Sequence, residues 1–563
     1  MLTRSGGEPI PGLGTRATAL ALAAIAAAFF LVYHPALEAE LALRDDHEII
    51  RYALNERAHP DLPQGIGPIT SRWKSAWTDN AAVGRFRLAY FYLRFALADF
   101  LATDAYLWHL SQLVLGILTC FFLFMAARTG GLGKAAAMLL VMWVALQGRA
   151  AETWVRLGPT ESFAMLWLGV ALYAVVRAAA GGRAWDVVSV VAMALMGGCK
   201  ENFILLIPLL LALRVGLAGG FEWRRMLAVT RAAWKPLAAG TLVFAVEFGI
   251  TLWIYLRGGY GRDVAGQVAA PFSPLAWLDL LWAMRDRFAY YVPALLGAVV
   301  AVAGWVKTKR WNRPAIGVGT LALVAAVTQF PLLRVTWIDT RYVYPAVVGL
   351  AVLGALGIQA LPRRKGIRAA VVALSVVLSV PPALRVYAYA TRFTAETKVV
   401  DQMLDYVSRN ADPAKVIVVY AHPVRRMEAC YSLYFQLGFR GVRSPVFLCA
   451  ADYKDSEVKR ILPFLRGSFA GRVDTSCLDE TLWTALEGAG TANPGKRLRA
   501  ADVGGIVVYE SEAVFDAAPP PWYRPEDAIR KVFLEPVMEA HGWRLKLGAP
   551  ARALGIVMKP EQK

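Results

Sequence analysis

The chain has 563 residues, 57% of them hydrophobic, 18 tryptophans and a mean hydropathy of +0.44. Charged residues make up 18%, against about 25% in soluble domains, so a wholly soluble protein is excluded. The net charge of +19 is concentrated before residue 390, where 37 basic residues face 21 acids. No clustered basic motif accompanies it, so the charge excludes nucleic acid as a partner and points to membrane topology and anionic lipids.

Runs long enough to span about 30 Å of hydrocarbon recur at 16–33, 105–127, 133–148, 162–179, 185–199, 202–219, 236–257, 288–306, 314–333, 344–361 and 368–389. They predict about eleven transmembrane helices in residues 1–389. The first run, Ala17–Val32, lacks a convincing small-x-small cleavage site and reads as a retained span. With the amino terminus cytoplasmic, the short inside loops collect nineteen basic residues against Glu8, Asp186 and Glu222, as the positive-inside rule requires. Eleven spans then put the carboxyl terminus outside.

Just beyond the first span stands Asp45-Asp46-His47-Glu48. Four consecutive titratable residues beside a membrane are costly unless they work. They open an outer loop over residues 34–104, punctuated by Pro60, Pro63 and Pro68. The loop ends in Arg85–Leu101, an aromatic, charge-studded segment too polar to span, which is expected to lie as a helix in the outer interface. The second outer loop, Gln147–Glu161, carries Glu152 and Glu161; Lys200-Glu201 sits between two short spans; Arg341-Tyr342 opens the tenth. Glu247 falls in mid-span, where an acid is a functional candidate or completes a hydrogen bond inside the bundle.

After Tyr389 the composition becomes that of a soluble protein, nearly balanced in charge. Val416–Tyr420 and Gly505–Tyr509 read as buried strands, Thr391–Arg409 and Val424–Phe439 as helices. Residues 390–563 are therefore expected to form an extracytoplasmic α/β domain. Of the five cysteines, Cys120 and Cys199 fall in membrane runs. Cys430, Cys449 and Cys477 lie in the tail, where a disulfide can form but three thiols leave one over.

The outer face thus gathers carboxylates with a lysine and an arginine. Cations suit a phosphate, and a carboxylate suits an attacking hydroxyl. Each residue also has a plainer reading: Asp45-Asp46 as a helix cap, Lys200-Glu201 as an ion pair, Glu152 and Glu161 as partners of Arg149 and Arg156, Arg341 and Tyr342 as interfacial anchors.

The whole pattern resembles the GT-C superfamily of polyprenyl-phosphate-sugar-dependent glycosyltransferases, among them protein O-mannosyltransferases and lipid A aminoarabinose transferases. The matching residues are Asp45-Asp46, Gly84-Arg85-Phe86, Glu152 with Glu161, Lys200-Glu201 with Pro208, and Arg341-Tyr342 with Pro345. The resemblance implies transfer of a sugar from a polyprenyl-phosphate donor to a hydroxyl of a glycolipid, glycan or protein, with inversion, at a bacterial inner membrane. Asp45 or Asp46 would act as the base. Lys200, Arg341 and Tyr342 would bind the donor phosphate, and Glu152, Glu161 and Glu201 would hold acceptor or substrate. Metal dependence varies in the family; Mg²⁺ or Mn²⁺ would fall to Asp46 and His47. Asp-Asp-His stands where many relatives carry Asp-Glu, which leaves the choice of base open. A ligase or polymerase using diphosphate-linked oligosaccharides would favour an Arg/His-rich outer loop. A transporter or flippase would favour inverted repeats and polar groups at mid-membrane.

Overall fold

The computed structural model describes residues 14–42, 46, 49–50, 86–146, 151–256, 299, 302, 313–329, 340–361, 365–422, 427–444, 446–450, 473–474, 503–510, 531–535 and 544–546. Their helices are α1 (Thr15–Tyr33), α2 (Leu88–Leu101), α3 (Ala105–Thr129), α4 (Lys134–Ala145), α5 (Glu152–Val155), α6 (Glu161–Ala179) and α7 (Arg183–Cys199). Next come α8 (Ile207–Gly219), α9 (Trp223–Ala232), α10 (Trp234–Leu256), α11 (Arg313–Val327), α12 (Tyr344–Ala360), α13 (Lys365–Asn410) and α14 (Met427–Phe439).

Seven helical segments among the described residues are long and apolar enough to cross a membrane. The chain is a helical membrane protein. The 17-residue α7 and the shorter apolar α4 and α11 cover three more of the expected runs. The run at 288–306 lies outside the described residues except at Val299 and Val302.

Two differences from the sequence expectation have local causes. The run at 368–389 and the helix expected at Thr391–Arg409 form one 46-residue helix, α13, with Pro381 and Pro382 inside it. The change from apolar to polar composition near Tyr389 ends the greasy surface, yet no Gly or Pro follows before Pro413, just past the helix end. The segment expected in the interface forms α2, but Tyr90, Arg94 and Phe95 are buried, so one face docks on protein.

The chain divides into two compact units. One comprises residues 1–34, 65–99 and 110–390. Its centre is an aromatic column: Phe29 stacks on Tyr33 at 4.2 Å, meets Trp154 edge-on at 5.9 Å, and Trp154 meets Tyr344 at 6.0 Å. Three hydrogen bonds fix that column. Tyr33 Oη donates to the Ala145 carbonyl (2.7 Å), Trp154 Nε1 to Tyr344 Oη (2.8 Å), and Tyr344 Oη to the Val144 carbonyl (2.8 Å). Helices α11 and α12 approach closely at Gly349, where an added Cβ would sit 2.4 Å from the Ala322 carbonyl oxygen.

The other unit comprises residues 35–64, 100–109 and 391–563, so the expected boundary at residue 389 falls within α13. Its sheet has the order β3-β2-β1-β4-β5-β6, with β1 (Val416–His422), β2 (Val446–Ala450), β3 (Val473–Asp474), β4 (Val503–Glu510), β5 (Lys531–Glu535) and β6 (Arg544–Lys546). Strands β1 to β4 pair in parallel, and β5 and β6 add on antiparallel. Ile50 packs with Val400, Leu404, Leu433, Phe435 and Ile417 in one buried cluster, so the first loop contributes to this core.

Candidate functional site

Where α6 begins and α7 ends, the apolar bundle of the first unit holds buried charge. Lys200 Nζ lies 2.8 Å from Glu161 Oε1, with the two side chains 2% and 1% exposed. Arg341 Nη1 reaches Glu152 Oε1 at 2.9 Å, and its Nε lies 3.8 Å from Glu161 Oε2. Arg156, the residue just after α5, donates to the same Glu152 oxygen. Lys200 Nζ also stands 3.7 Å from the centroid of the Tyr342 ring, a cation–π contact, with the Arg341 guanidinium 5.7 Å from the same centroid. Arg87, just before α2, pairs with Glu201 at 3.2 Å.

Local sequence builds this geometry. Helix α7 stops at Cys199, Lys200 turns to extended backbone, and Glu201–Leu206 continues as a 3₁₀ turn before α8. The break aims Lys200 and Glu201 inward instead of along a helix surface. Asn202 ties the turn to the Thr340–Val343 3₁₀ turn: its Nδ2 donates to the Tyr342 carbonyl and to Gln329 Oε1, both at 2.8 Å. Gln329 Nε2 returns a bond to the Asn202 carbonyl at 3.3 Å. The loop between α5 and α6 is held by Tyr90 Oη on the Gly158 carbonyl (2.9 Å), and by Arg94 (2.8 Å) and Gln112 (3.2 Å) on the Leu157 carbonyl.

Burial lowers the pKa of Lys200 below that of a free lysine, and Arg87 pushes the same way, against the opposing carboxylate of Glu161. At Arg87 burial again disfavours the charge, but Glu201, Tyr342 and Glu161 together outweigh it and the guanidinium pKa rises. The cluster thus combines a firmly charged guanidinium with an ammonium whose proton is more easily lost.

An apolar cleft of about 150 Å³ lies among the same helices, its lining coming within a few residues of this cluster along the chain. Leu206, the last residue of the 3₁₀ turn, and Pro345, just after Tyr344, line it at this end; Leu132, Leu217 and Leu356 line it at the other. Carbon lines it nearly throughout, so it suits a hydrocarbon chain.

All six residues expected to bind donor or acceptor, Glu152, Glu161, Lys200, Glu201, Arg341 and Tyr342, meet in this one network. Asp45, His47 and Gly84-Arg85 lie outside the described residues. Asp46 belongs to the second unit and is fully buried. Its Oδ2 accepts the Ala42 N–H at 2.7 Å, and its carbonyl accepts the Ile49 N–H at 3.0 Å, so it organises its own turn. Gln436 Nε2 donates to the carbonyls of Leu41 and Ala42 at 3.4 and 3.3 Å in the same unit. Among the described residues no group of three or more His, Cys, Asp or Glu side chains is placed to hold a metal.

Sequence reasoning missed Arg87, Arg94, Asn202 and Gln329. Arg87 and Arg94 look like headgroup-facing charges on a polar helix, and only their distant partners reveal the inward role. No protein-family model and no curated protein matches the chain.

Proposed function

We propose that the chain is a membrane glycosyltransferase of the GT-C type, moving a sugar from a polyprenyl-phosphate donor to a hydroxyl acceptor. The observation that carries this reading is the buried cluster of Lys200, Arg341 and Tyr342 on the two chain segments whose following residues, Leu206 and Pro345, line an apolar cleft. An amphiphile with a phosphate at one end of a long hydrocarbon matches that arrangement in both parts. In this reading eleven spans cross a bacterial inner membrane, the amino terminus is cytoplasmic, and the cluster and the carboxyl-terminal α/β domain face outward.

The reaction asks three things of the protein. An acceptor hydroxyl loses its proton to a carboxylate, its oxygen bonds to the anomeric carbon from the face opposite the phosphate, and the anomeric C–O bond breaks to release polyprenyl phosphate. Charge on the leaving phosphate grows as that bond breaks, and cations already held by Glu161 and Glu152 need no reorganisation to meet it. Glu201, held by Arg87, and the two acids in the cluster provide hydrogen-bond acceptors for sugar hydroxyls. The base falls to Asp45 or Asp46 by the resemblance alone. No step is routed through a metal.

Deleting the gene is expected to make acid-labile polyprenyl-phosphate sugar accumulate and to remove a sugar from a surface glycan, glycolipid or protein. Wild type should reverse both. Asp46→Asn keeps an oxygen for the Ala42 N–H and should fold. If Asp46 is the base, its complementation falls at least about 100-fold. Full complementation by Asp46→Asn would move the base to Asp45, and full complementation by the Asp45→Asn, Asp46→Asn double variant would end this assignment.

A further inference from the structure

Helix α10 carries one acid, Glu247, in an otherwise apolar segment, WKPLAAGTLVFAVEFGITLWIYL. It is 8% exposed, and its Oε2 is buried with no hydrogen-bond partner among the described residues. An unsatisfied buried oxygen is destabilising, so a sequence that retains one gains something else by it.

The surroundings of Glu247 show what that is. Its carboxyl lies against Gly197 and Gly198, the residues just before Cys199 and Lys200. A Cβ added to Gly197 would fall 1.9 Å from Glu247 Oε2 and 3.1 Å from Ile204 Cγ1 of the 3₁₀ turn. A Cβ on Gly198 would fall 3.6 Å from Glu247 Oε1 and 2.9 Å from Ala89 Cβ of α2. The two glycines are therefore the seat into which the carboxyl fits. Both chain segments that carry the Arg87–Glu201 pair touch the same spot, α2 through Ala89 and the 3₁₀ turn through Ile204.

Helix lengths set the level of this contact. Glu247 is nine residues before the end of α10, about 13 Å at 1.5 Å per residue. Helix α7, with 17 residues, is six shorter than the 23-residue α10, about 9 Å less. The short helix ends below its neighbour's tip, and Glu247 is placed where it ends.

We propose that Glu247 is a positioning residue: its carboxyl, seated on Gly197-Gly198, fixes the break between α7 and the 3₁₀ turn and so holds Lys200 on Glu161 and Tyr342. This rests on the proposed function only in the use made of Lys200; the placement of Lys200 is tested separately. Glu247→Gln preserves the shape and a polar end on the Gly197-Gly198 seat, whereas Glu247→Leu keeps bulk without polar atoms. Gly197→Ala leaves Glu247 intact and displaces it.

The direct readout is acylation of Lys200 in the detergent-solubilised full chain, followed by mass spectrometry, with the half-exposed Lys398 as internal standard. Glu247→Leu and Gly197→Ala are expected to raise the Lys200 rate at least tenfold at an unchanged Lys398 rate, and Glu247→Gln to leave it within twofold of wild type. A protected Lys200 in both Glu247→Leu and Gly197→Ala overturns the proposal. So does a Glu247→Gln variant as reactive as Glu247→Leu, because the carboxylate itself would then be what matters.

A second measurement uses undecaprenyl phosphate as the probe in native mass spectrometry. Glu247→Leu should weaken its binding about tenfold, with Glu247→Gln restoring it. Failure of wild type to bind the probe, with the labelling pattern as expected, would sink the phosphate role of Lys200 and leave the positioning role standing.

Discussion

Replacing Lys200 by methionine is expected to abolish transfer and to lower the melting temperature in the same variant. The two losses have different origins and can be separated. Glu161 is 1% exposed, and Lys200 at 2.8 Å is its near cation; Arg341 stands 3.8 Å away. Removing one partner of a buried pair leaves a charge without compensation, at a cost of about 3–5 kcal/mol. Adding Glu161→Gln removes the stranded charge, so the Lys200→Met, Glu161→Gln double variant should recover most of the melting temperature. It should not recover transfer, which falls by roughly 100- to 1000-fold when a preorganised charge on the developing anion is lost. Near-wild-type transfer by the double variant would show that the pair only supports the fold. Lysine and arginine also differ in how they respond to pH. Burial and the neighbouring Arg87 hold the Lys200 ammonium below the usual lysine range, so it loses its proton at a lower pH than a free lysine. Phosphate affinity depends on the charged form, is complete below that pKa and falls as pH rises through it. In Lys200→Arg the guanidinium stays charged, and the alkaline fall in polyprenyl-phosphate affinity should move to higher pH.

The membrane helices were legible because their signal is local. A greasy run such as Ala105–Thr129 declares itself within its own residues, and α3, α6, α8, α10 and α12 begin and end within a few residues of the expected positions. The charged cluster was legible for a related reason. Glu161, Lys200 and Arg341 flank apolar runs, where a charge is costly and stands out. What the sequence concealed are the partnerships. Arg94 is 1% exposed and donates to the Leu157 carbonyl, 63 residues away, while its own helix reads as an ordinary interfacial one. Arg87 meets Glu201 across 114 residues. Asp46 shows a placement that the sequence does not announce. Its titratable neighbours suggested open chemistry, yet the carboxylate is buried in a bond to Ala42 N–H. Nothing local to Ile50 announces that it packs with Val400 and Leu404. Loop burial is decided by what arrives from elsewhere in the chain, and periodicity carries no record of it.

Arg341 should prove more important to transfer than to stability, the reverse of what its two carboxylates suggest. Its Nη1 holds Glu152 at 2.9 Å, but Arg156 donates to that same oxygen, so Arg341→Ala leaves Glu152 partnered. Glu161 likewise keeps Lys200. Arg341→Ala is therefore expected to melt above Lys200→Met. Transfer should fall by at least about 100-fold, because the guanidinium that spans from Glu152 towards Glu161 is the preorganised charge that the proposed reaction sets against the leaving phosphate. Arg341→Lys sharpens the test. A single ammonium can take the Glu152 position or turn towards Glu161, and cannot bridge both. If the fork matters, the lysine variant keeps nearly wild-type melting and loses about tenfold or more in transfer. If charge alone matters, it transfers like wild type. A melting temperature for Arg341→Ala below that of Lys200→Met would invert the ranking of the two ion pairs and make Arg341, not Lys200, the principal counter-charge of Glu161.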